Sequence, residues 1–434
     1  MVLKRTQERL QEFIADAKVM DTHEHLPAFE HMRNKQADVL SEFLSHYFIR
    51  DLISAGFPPA HAKRIEAPLD IGEKWKLVEP YWAACRYTGY GQSLAIAAKD
   101  LYGIDEIDRN SIHELNERFL CGLRGAHYQE VLKKRCRIEK SVLDAVVFGE
   151  EGLKPPDGAY FIQSNRIDRM VLPRSQEDIA FLERIAGIRI ARFDDYLQAC
   201  AGLMERFAQK SGILKCALAY ERSLSFEKTS YGEAEAGFCR MFRDDYFNTI
   251  GDGYGLWANT DMQNYVMHFL LGIAQEKEMV LQVHTGIQEG NGNLLRNSDP
   301  LLLNELIQSY PGVKFDLFHI GYPFHQQLGV LAKWYPNVWA DMCWSHIISP
   351  DAAQAVLKEW LEAIPYNKIL GFGGDYLFAD GVYGHLCIAK NNIVQALMQK
   401  IEKGLFDAAA AEVIITSLLY EAPAKLYGLA GKCG

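Results

Sequence analysis

Several protein classes are excluded by what the chain does not contain. No uninterrupted apolar run approaches the roughly 18 to 20 residues that a membrane span needs, so no transmembrane segment is expected. The nine cysteines are odd in number, scattered and without a Cys-x-x-Cys pair, which reads as reduced thiols in the cytoplasm rather than a disulfide framework. Basic charge is in the minority: 46 Lys and Arg stand against 56 Asp and Glu, giving a formal charge of -10. With a pI near 5.8 and only the brief basic run "LKKRC" at 132–136, nucleic acid is not an expected partner. There is no fixed-period repeat or low-complexity tract. "GIQEGNGN" has turn-forming glycines, but no Lys-Ser/Thr follows in the order of a phosphate loop. The opening segment, Met1 to Lys18, spaces apolar residues helically among charges, which predicts an amphipathic helix rather than a signal peptide.

What is present fits a soluble enzyme: 434 residues, 49% hydrophobic and 24% charged, with a mean hydropathy of -0.13. After the first helix, "VMDTHEH" predicts a strand. A helix-rich region of about 27–137 follows, with Trp75, Tyr81, Trp82, Tyr87 and Tyr90 at spacings that favour helix packing. A lid over the rim is the alternative for this region. Short apolar runs then alternate with amphipathic helices: "VLDAVVFG", "AYFIQSNRIDRMVL", "ILKCALAY", "MVLQVHTG", "VKFDLFHIG", "NVWADMCW" and "KILGFGGD". With the first strand this makes eight candidates, mostly in strand-then-helix order. We therefore expect an α/β fold: one domain over 1–434, a (β/α)8 TIM-type barrel with a large helical insertion after strand 1 and C-terminal helices.

Polar residues of one kind gather at the predicted C-terminal strand ends: His23 and His25, His284, His319 and Asp375. Barrel geometry would bring them to one rim, and residues at i and i+2 of a strand share a face. Neutral imidazoles and a carboxylate suit Zn²⁺ or a similar divalent ion with one position open for water. Asp375 would hold the ion by one oxygen and take a proton with the other, and His319 would polarise a carbonyl or act as acid and base. Each residue alone is weak evidence, since a single strand-end His is more often a packed, hydrogen-bonded side chain and an Asp after "GFGG" can be a cap. Their coincidence at strand ends carries the inference.

The motifs "DTHEHL", "QVHTG", "LFHIGYP" and "GFGGD", together with "NSDPLLLNELIQSYPGVKFDLFHIGYPF" and "APAKLYGL", mark a resemblance. The chain resembles the metal-dependent amidohydrolase superfamily, in particular its amidohydrolase 2 branch, and is similar to uronate isomerases. The resemblance implies His23, His25, His284 and Asp375 as metal ligands, and His319 as the catalytic neighbour. It implies one divalent ion, Zn²⁺ by preference, with Mn, Fe or Ni open. Lys215 stands on the fourth strand, where binuclear members place a carboxylated lysine; as the third residue of its strand it is expected to lie too deep, so a single ion is preferred. Arg166, Arg169, Arg222, Tyr220 and Gln288 are the candidates for substrate recognition, Arg222 because its planar fork suits a carboxylate. The expected activity is hydrolysis of a small amide or lactone by metal-activated water. The alternatives are a uronate-isomerase-like isomerase or a decarboxylase on the same site, or a catalytically silent barrel acting as a binding module. The expected partner is a small-molecule substrate; a homo-oligomer is left open.

Overall fold

The strands are short, parallel and covered on both faces. The computed structural model describes residues 2–123, 125–146, 148–242 and 259–429. β1 (Val19–Glu24), β2 (Ile138–Leu143) and β3 (Phe161–Gln163) form one sheet. β4 (Asn165–Arg166), β5 (Ile213–Cys216), β6 (Val280–Val283), β7 (Lys314–Leu317), β8 (Val338–Asp341) and β9 (Ile369–Leu370) form a second sheet in sequence order. Every pairing is parallel. β6, Val-Leu-Gln-Val, is buried throughout, as expected for a parallel strand with helices on one side and the interior on the other. The helices between strands bury one stripe each; Phe193–Lys210 turns inward Phe193, Tyr196, Leu197, Cys200, Leu203, Met204 and Phe207 at spacings of three and four.

Backbone bonds continue past both sheet edges. Ser164, the residue between β3 and β4, donates from its N–H to Leu143 O at 2.9 Å, and Ile167 N–H donates to Lys215 O at 3.0 Å. On the other side, β1 is bonded to the segment that follows β9: Thr22 N–H to Phe372 O at 3.1 Å, Asp375 N–H to His23 O at 2.8 Å, and His25 N–H to Tyr376 O at 3.1 Å. The first strand and the "GFGGD" segment are thereby neighbours, although about 350 residues separate them.

Among the described residues, six α-helices lie between β1 and β2: Val39–Phe43, Phe48–Ser54, Pro59–Glu66, Ile71–Cys85, Gly89–Tyr102 and Ile112–Gly122, followed by a π-helical turn at Gln129–Arg135. Trp75 and Trp82 are buried there, and Trp82 meets Phe48 edge-on at 4.9 Å. Tyr87 is exposed. Tyr90 stacks on Tyr47 at 5.1 Å, and Tyr47 on Trp344 at 4.5 Å, so this region is packed against the end of β8.

Two predicted strands are displaced. The run expected at 142–149 is realised as Ile138–Leu143, and Val147 lies outside the described residues. The run at 159–172 is broken into β3 and β4, then the short helix Asp168–Val171. The Asp168 carboxylate accepts from Ala217 N–H at 2.8 Å, which ties this turn to the end of β5.

Deeper between the strands, Gln282, Asp316 and Asp341 are buried. Burial raises Asp316 to about 6; burial and then the charge of Asp316 push Asp341 well above the ordinary carboxyl range. These neighbours therefore hold a proton between them. Tyr427, just past the helix Ala422–Leu426, donates its hydroxyl to Asp316 and accepts from Gln282 Nε2. Among the described residues no helix is long and apolar enough to cross a membrane.

Candidate metal centre

β1 carries His23, and His25 follows its last residue. Their rings lie 4.7 Å apart at 83°, the proximity that i, i+2 spacing demands. The acids beside them hold backbone rather than facing the cavity. Asp21 Oδ1 accepts from His23 N–H and from Gly374 N–H, both at 3.1 Å, and Asp21 Oδ2 accepts from the Ser141 hydroxyl at 2.8 Å. Glu24 Oε2 accepts from Tyr376 N–H at 2.9 Å. Burial lifts Asp21 to about 6; burial, then the Asp21 charge, lifts Glu24 well above its usual range. A proton shared by these two acids lets both stay buried while they fasten residues 374–376 to β1. Position 374 requires glycine, because a Cβ there would stand 1.8 Å from Glu24 Oε1.

Asp375, with a left-handed φ of 56°, turns its carboxylate among the histidines. Its Oδ1 lies 3.2 Å from His25 Nε2 and 3.7 Å from His23 Nε2. Its Oδ2 lies 3.8 Å from His319 Nε2. His319 Nε2 is in turn 3.0 Å from His284 Nδ1. Donor atoms of His23, His25 and Asp375 fall within 4.8 Å of one another, and so do those of a second trio, His319, Cys343 and Asp375. His284 joins neither trio and reaches the site through His319.

The hydrogen bonds fix which nitrogens carry lone pairs. His25 Nδ1 lies 2.9 Å from Asp144 O, His319 Nδ1 lies 3.0 Å from Cys343 O, and His284 Nε2 lies 2.9 Å from Ile287 O. A carbonyl only accepts, so each of these nitrogens bears the proton. The lone pairs of His319 Nε2 and His284 Nδ1 therefore oppose each other, and that of His25 Nε2 opposes a carboxylate oxygen. Opposed lone pairs at about 3 Å repel unless a cation or proton sits among them. This donor set of imidazole nitrogens and one carboxylate fits a divalent ion.

With no cation present, a proton on His25 Nε2 takes its place and donates to Asp375. Burial alone would raise Asp375, but the hydrogen bond from His25 and the charges of His23, His25 and His319 hold it well below the usual carboxylate range. Burial opposes protonation of His25, yet the bond to Asp375 raises it overall. Burial lowers His319 to about 4 and, with Lys215 nearby, puts His23 well below its ordinary value. Burial and the His319 charge do the same to His284.

A cavity of about 710 Å³ opens over His23, His25, His284 and Asp375. Arg166 lines it and grips Asp144 with Nε at 2.9 and 3.0 Å and Nη2 at 2.9 Å. Tyr220 and Arg169 also line it; the Tyr220 ring is 4.7 Å from His284, and its hydroxyl accepts from Glu289 N–H. Arg222 does not reach the cavity. It is buried, and its guanidinium donates to Gln263 Oε1 and Asn264 Oδ1 at 2.8 Å and to the Ser223 and Ser225 carbonyls. Its fork is thus filled by the protein, which corrects its expected role toward substrate. Gln288 is buried and also stands outside the cavity wall. Lys215 corrects the expectation of depth: its long side chain brings Nζ to 3.4 Å from His23 Nε2 and 3.6 Å from the Phe318 ring centre.

The structure adds wall residues that strand-end reasoning missed. His46, Tyr47 and Arg50 come from the region between β1 and β2, and no spacing rule links them to a strand. Burial lowers His46 to about 3, so it is neutral. Cys343, in contrast, sits two residues past β8 and carried the same strand-end signal as His319.

Residues 233–429 match the family model described as amidohydrolase. That match spans less than half of the 434 residues. The amidohydrolase match includes His284, His319 and Asp375, and lies downstream of His23 and His25. Protein fluG from Emericella nidulans is 30% identical over 150 residues, 34% of this chain; the alignment spans only 17% of that relative's length. A uronate isomerase from Thermotoga maritima superposes with a TM-score of 0.80 at 18% identity, covering 98% of this chain and 97% of that one. A glucuronate isomerase from Caulobacter crescentus gives 0.77 at 16% identity, covering 98% and 94%. A Lactobacillus casei protein, named as a candidate metal-dependent hydrolase, gives 0.66 at 19% identity, covering 98% and 99%. At these identities the chain shares a fold with the solved structures.

Proposed function

We propose that the protein is a metal-dependent hydrolase of a small amide or lactone, one with a carboxylate where arginine takes part in recognition. The observation that carries this is Asp375, whose two oxygens face His25 on one side and His319 on the other. His23, His25 and Asp375 would hold one divalent ion, Zn²⁺ by preference with Mn, Fe or Ni as alternatives, and His284 would join from the side of His319. When bound, such an ion supplies Lewis acidity toward a carbonyl oxygen or a water.

The remaining work belongs to this chain's own groups. Asp375, kept ionised by its histidine neighbours, takes the proton of the attacking water on its Oδ2. His319 Nε2, whose ring is oriented by the Nδ1–H bond to Cys343 O, passes that proton to the leaving group. Arg166, already oriented by Asp144, and Tyr220 position the substrate, and the cavity limits its size. We take the two sheets as one (β/α)8 barrel in a single domain, supported by the bonds across Ser164 and between β1 and residues 372–376.

A second reading, an isomerase of sugar acids on the same site, is favoured by the fold shared with two uronate isomerases over nearly all of their chains. Metal analysis of the purified protein, with His23→Ala/His25→Ala as the comparison, tests the shared part. Wild type should hold a stoichiometric divalent ion and the double variant should lose it together with activity; equal metal content and activity would refute the site. Incubation with amides, lactones and uronates, read for acid, ketose or released carbon dioxide, separates hydrolysis from isomerisation and decarboxylation.

A further inference from the structure

Most charged groups on the cavity wall are already paired within the protein. Arg166 spends Nε and Nη2 on Asp144, at 2.9 to 3.0 Å. Arg50 Nε lies 2.6 Å from Glu289 Oε1. Arg174 takes both oxygens of Glu221, with Nη2 at 2.7 Å and Nε at 3.1 Å. Asp178 Oδ2 accepts from the N–H groups of Arg174 and Ser175 at 2.7 and 3.2 Å.

Two adjacent wall residues on the short helix Asp168–Val171 are exceptions. Asp168 is buried; its Oδ1 accepts from Ala217 N–H at 2.8 Å, and its Oδ2 has no hydrogen-bond partner among the described residues. Arg169 stays 3.6 Å from Glu221, whose oxygens Arg174 already holds, and its Nη1 has no hydrogen-bond partner among the described residues. Its side chain is 27% exposed, so it can be met from the cavity. A buried polar group without a partner carries a free-energy cost that a ligand can relieve. One anionic acceptor and one cationic donor with capacity to spare thus stand side by side.

A plain carboxylate on Arg169 would leave Asp168 Oδ2 unmet and add negative charge beside Asp168, Asp178 and Glu221. A plain amine on Asp168 would leave Arg169 unmet. An α-amino acid carries ammonium and carboxylate on one carbon, adds no net charge, and makes both of its bonds charge-assisted. We propose that the cavity receives its substrate by an α-amino-acid head group, ammonium to Asp168 Oδ2 and carboxylate to the Arg169 guanidinium; this rests on the metal-dependent hydrolase reading given above. Because ammonium and carboxylate are both free in such a head, the carbonyl that reacts belongs to the side chain. The substrate is then a side-chain amide or lactone of an amino acid.

The test uses hydroxamates, which chelate a bound metal, as probes on zinc-loaded full-length protein, with affinity read by calorimetry. Aspartate β-hydroxamate carries the whole head; succinate monohydroxamate lacks its ammonium, β-alanine hydroxamate lacks its carboxylate, and acetohydroxamate lacks both. Glutamate γ-hydroxamate and its analogues repeat the series one methylene longer. In one of the two series the complete head should bind at least about tenfold more tightly than either partial one. Arg169→Gln should abolish the preference that depends on the carboxylate and keep the other; Asp168→Asn, which preserves the acceptor for Ala217 N–H, should do the reverse. Circular dichroism checks that both variants fold, and the wild-type series is decisive by itself. Complete and partial heads that bind equally in both series, or preferences that both variants retain, overturn the proposal and leave the metal site standing. Failure of acetohydroxamate to bind at all overturns the metal reading, and the proposal with it.

Discussion

Replacing Gly374 by alanine adds one methyl group at the point where Asp375 is fastened to β1. That carbon would lie 1.8 Å from Glu24 Oε1, 2.8 Å from its Cδ and 3.2 Å from Oε2, so Glu24 or the backbone must move. The backbone at 374 is not left-handed, and the cost is therefore one of contact alone. Overpacking of this kind costs about 1–3 kcal/mol. Displacing Glu24 also weakens its bond from Tyr376 N–H, worth about 1 kcal/mol, so a total loss of about 2–4 kcal/mol is expected. Urea unfolding measures this, and zinc content reports whether Asp375 has shifted. Because the clash is with one side chain, Glu24→Ala should rescue part of it: the double variant should be more stable than the two single losses predict by about 1 kcal/mol or more. A Gly374→Ala protein within about 0.5 kcal/mol of wild type and full of metal, or strictly additive losses, would refute the reasoning.

Other consequences are open to measurement. Arg222→Met should lose about 2–3 kcal/mol of stability by stranding its buried partners while leaving KM unchanged; a raised KM at unchanged stability would return Arg222 to substrate binding. Asp380 is buried and accepts from Tyr102 at 2.6 Å and bonds His127. Burial alone would raise it, but the charge and bond of His127, the Tyr102 bond and Arg33 hold it below its usual value. A depressed carboxylate stabilises above the unfolded pKa of about 4 and loses that contribution as pH falls through the folded value. Asp380→Asn should therefore cost about 3 kcal/mol at pH 7, with the gap to wild type narrowing below about pH 4; a gap that widens in acid would contradict the sign. Zinc at a thousandfold excess over its Kd should stabilise the fold by about 4 kcal/mol, a chelator should remove that gain, and His25→Ala should show no response to either. Identical melting with zinc and with chelator would contradict the metal site.

The parallel strands with apolar runs were legible because burial on both faces writes the same signal at β6, β7 and β8. β2 was read too late in the chain: its own residues include the half-buried Glu139 and Lys140, while the more apolar residues beyond it drew the prediction onward. The strand-end rule located His23, His25, His284, His319 and Asp375 near one another, since position along a parallel strand translates directly into position in space. It failed for Arg222, because adjacency to a strand end does not determine where a side chain turns, and here Gln263 and Asn264 offered it a buried alternative. It could not find His46, Tyr47 or Arg50, which reach the cavity through helix packing between distant segments. Lys215 was misjudged by counting residues and neglecting the length of four methylenes.

The hydroxyl of Tyr427 bears on how the chain is made. Asp316 and Gln282 share it inside the sheet, and the helix just before it packs on β1 and β9. A nascent chain that has already exposed β1 and β2 must wait for residue 427 before this interior can be sealed from water. At about 5–20 residues per second, that interval lasts roughly 15–60 s after β2 emerges. Throughout it, Asp316 lacks its tyrosine donor and the strands present unsealed apolar faces to water.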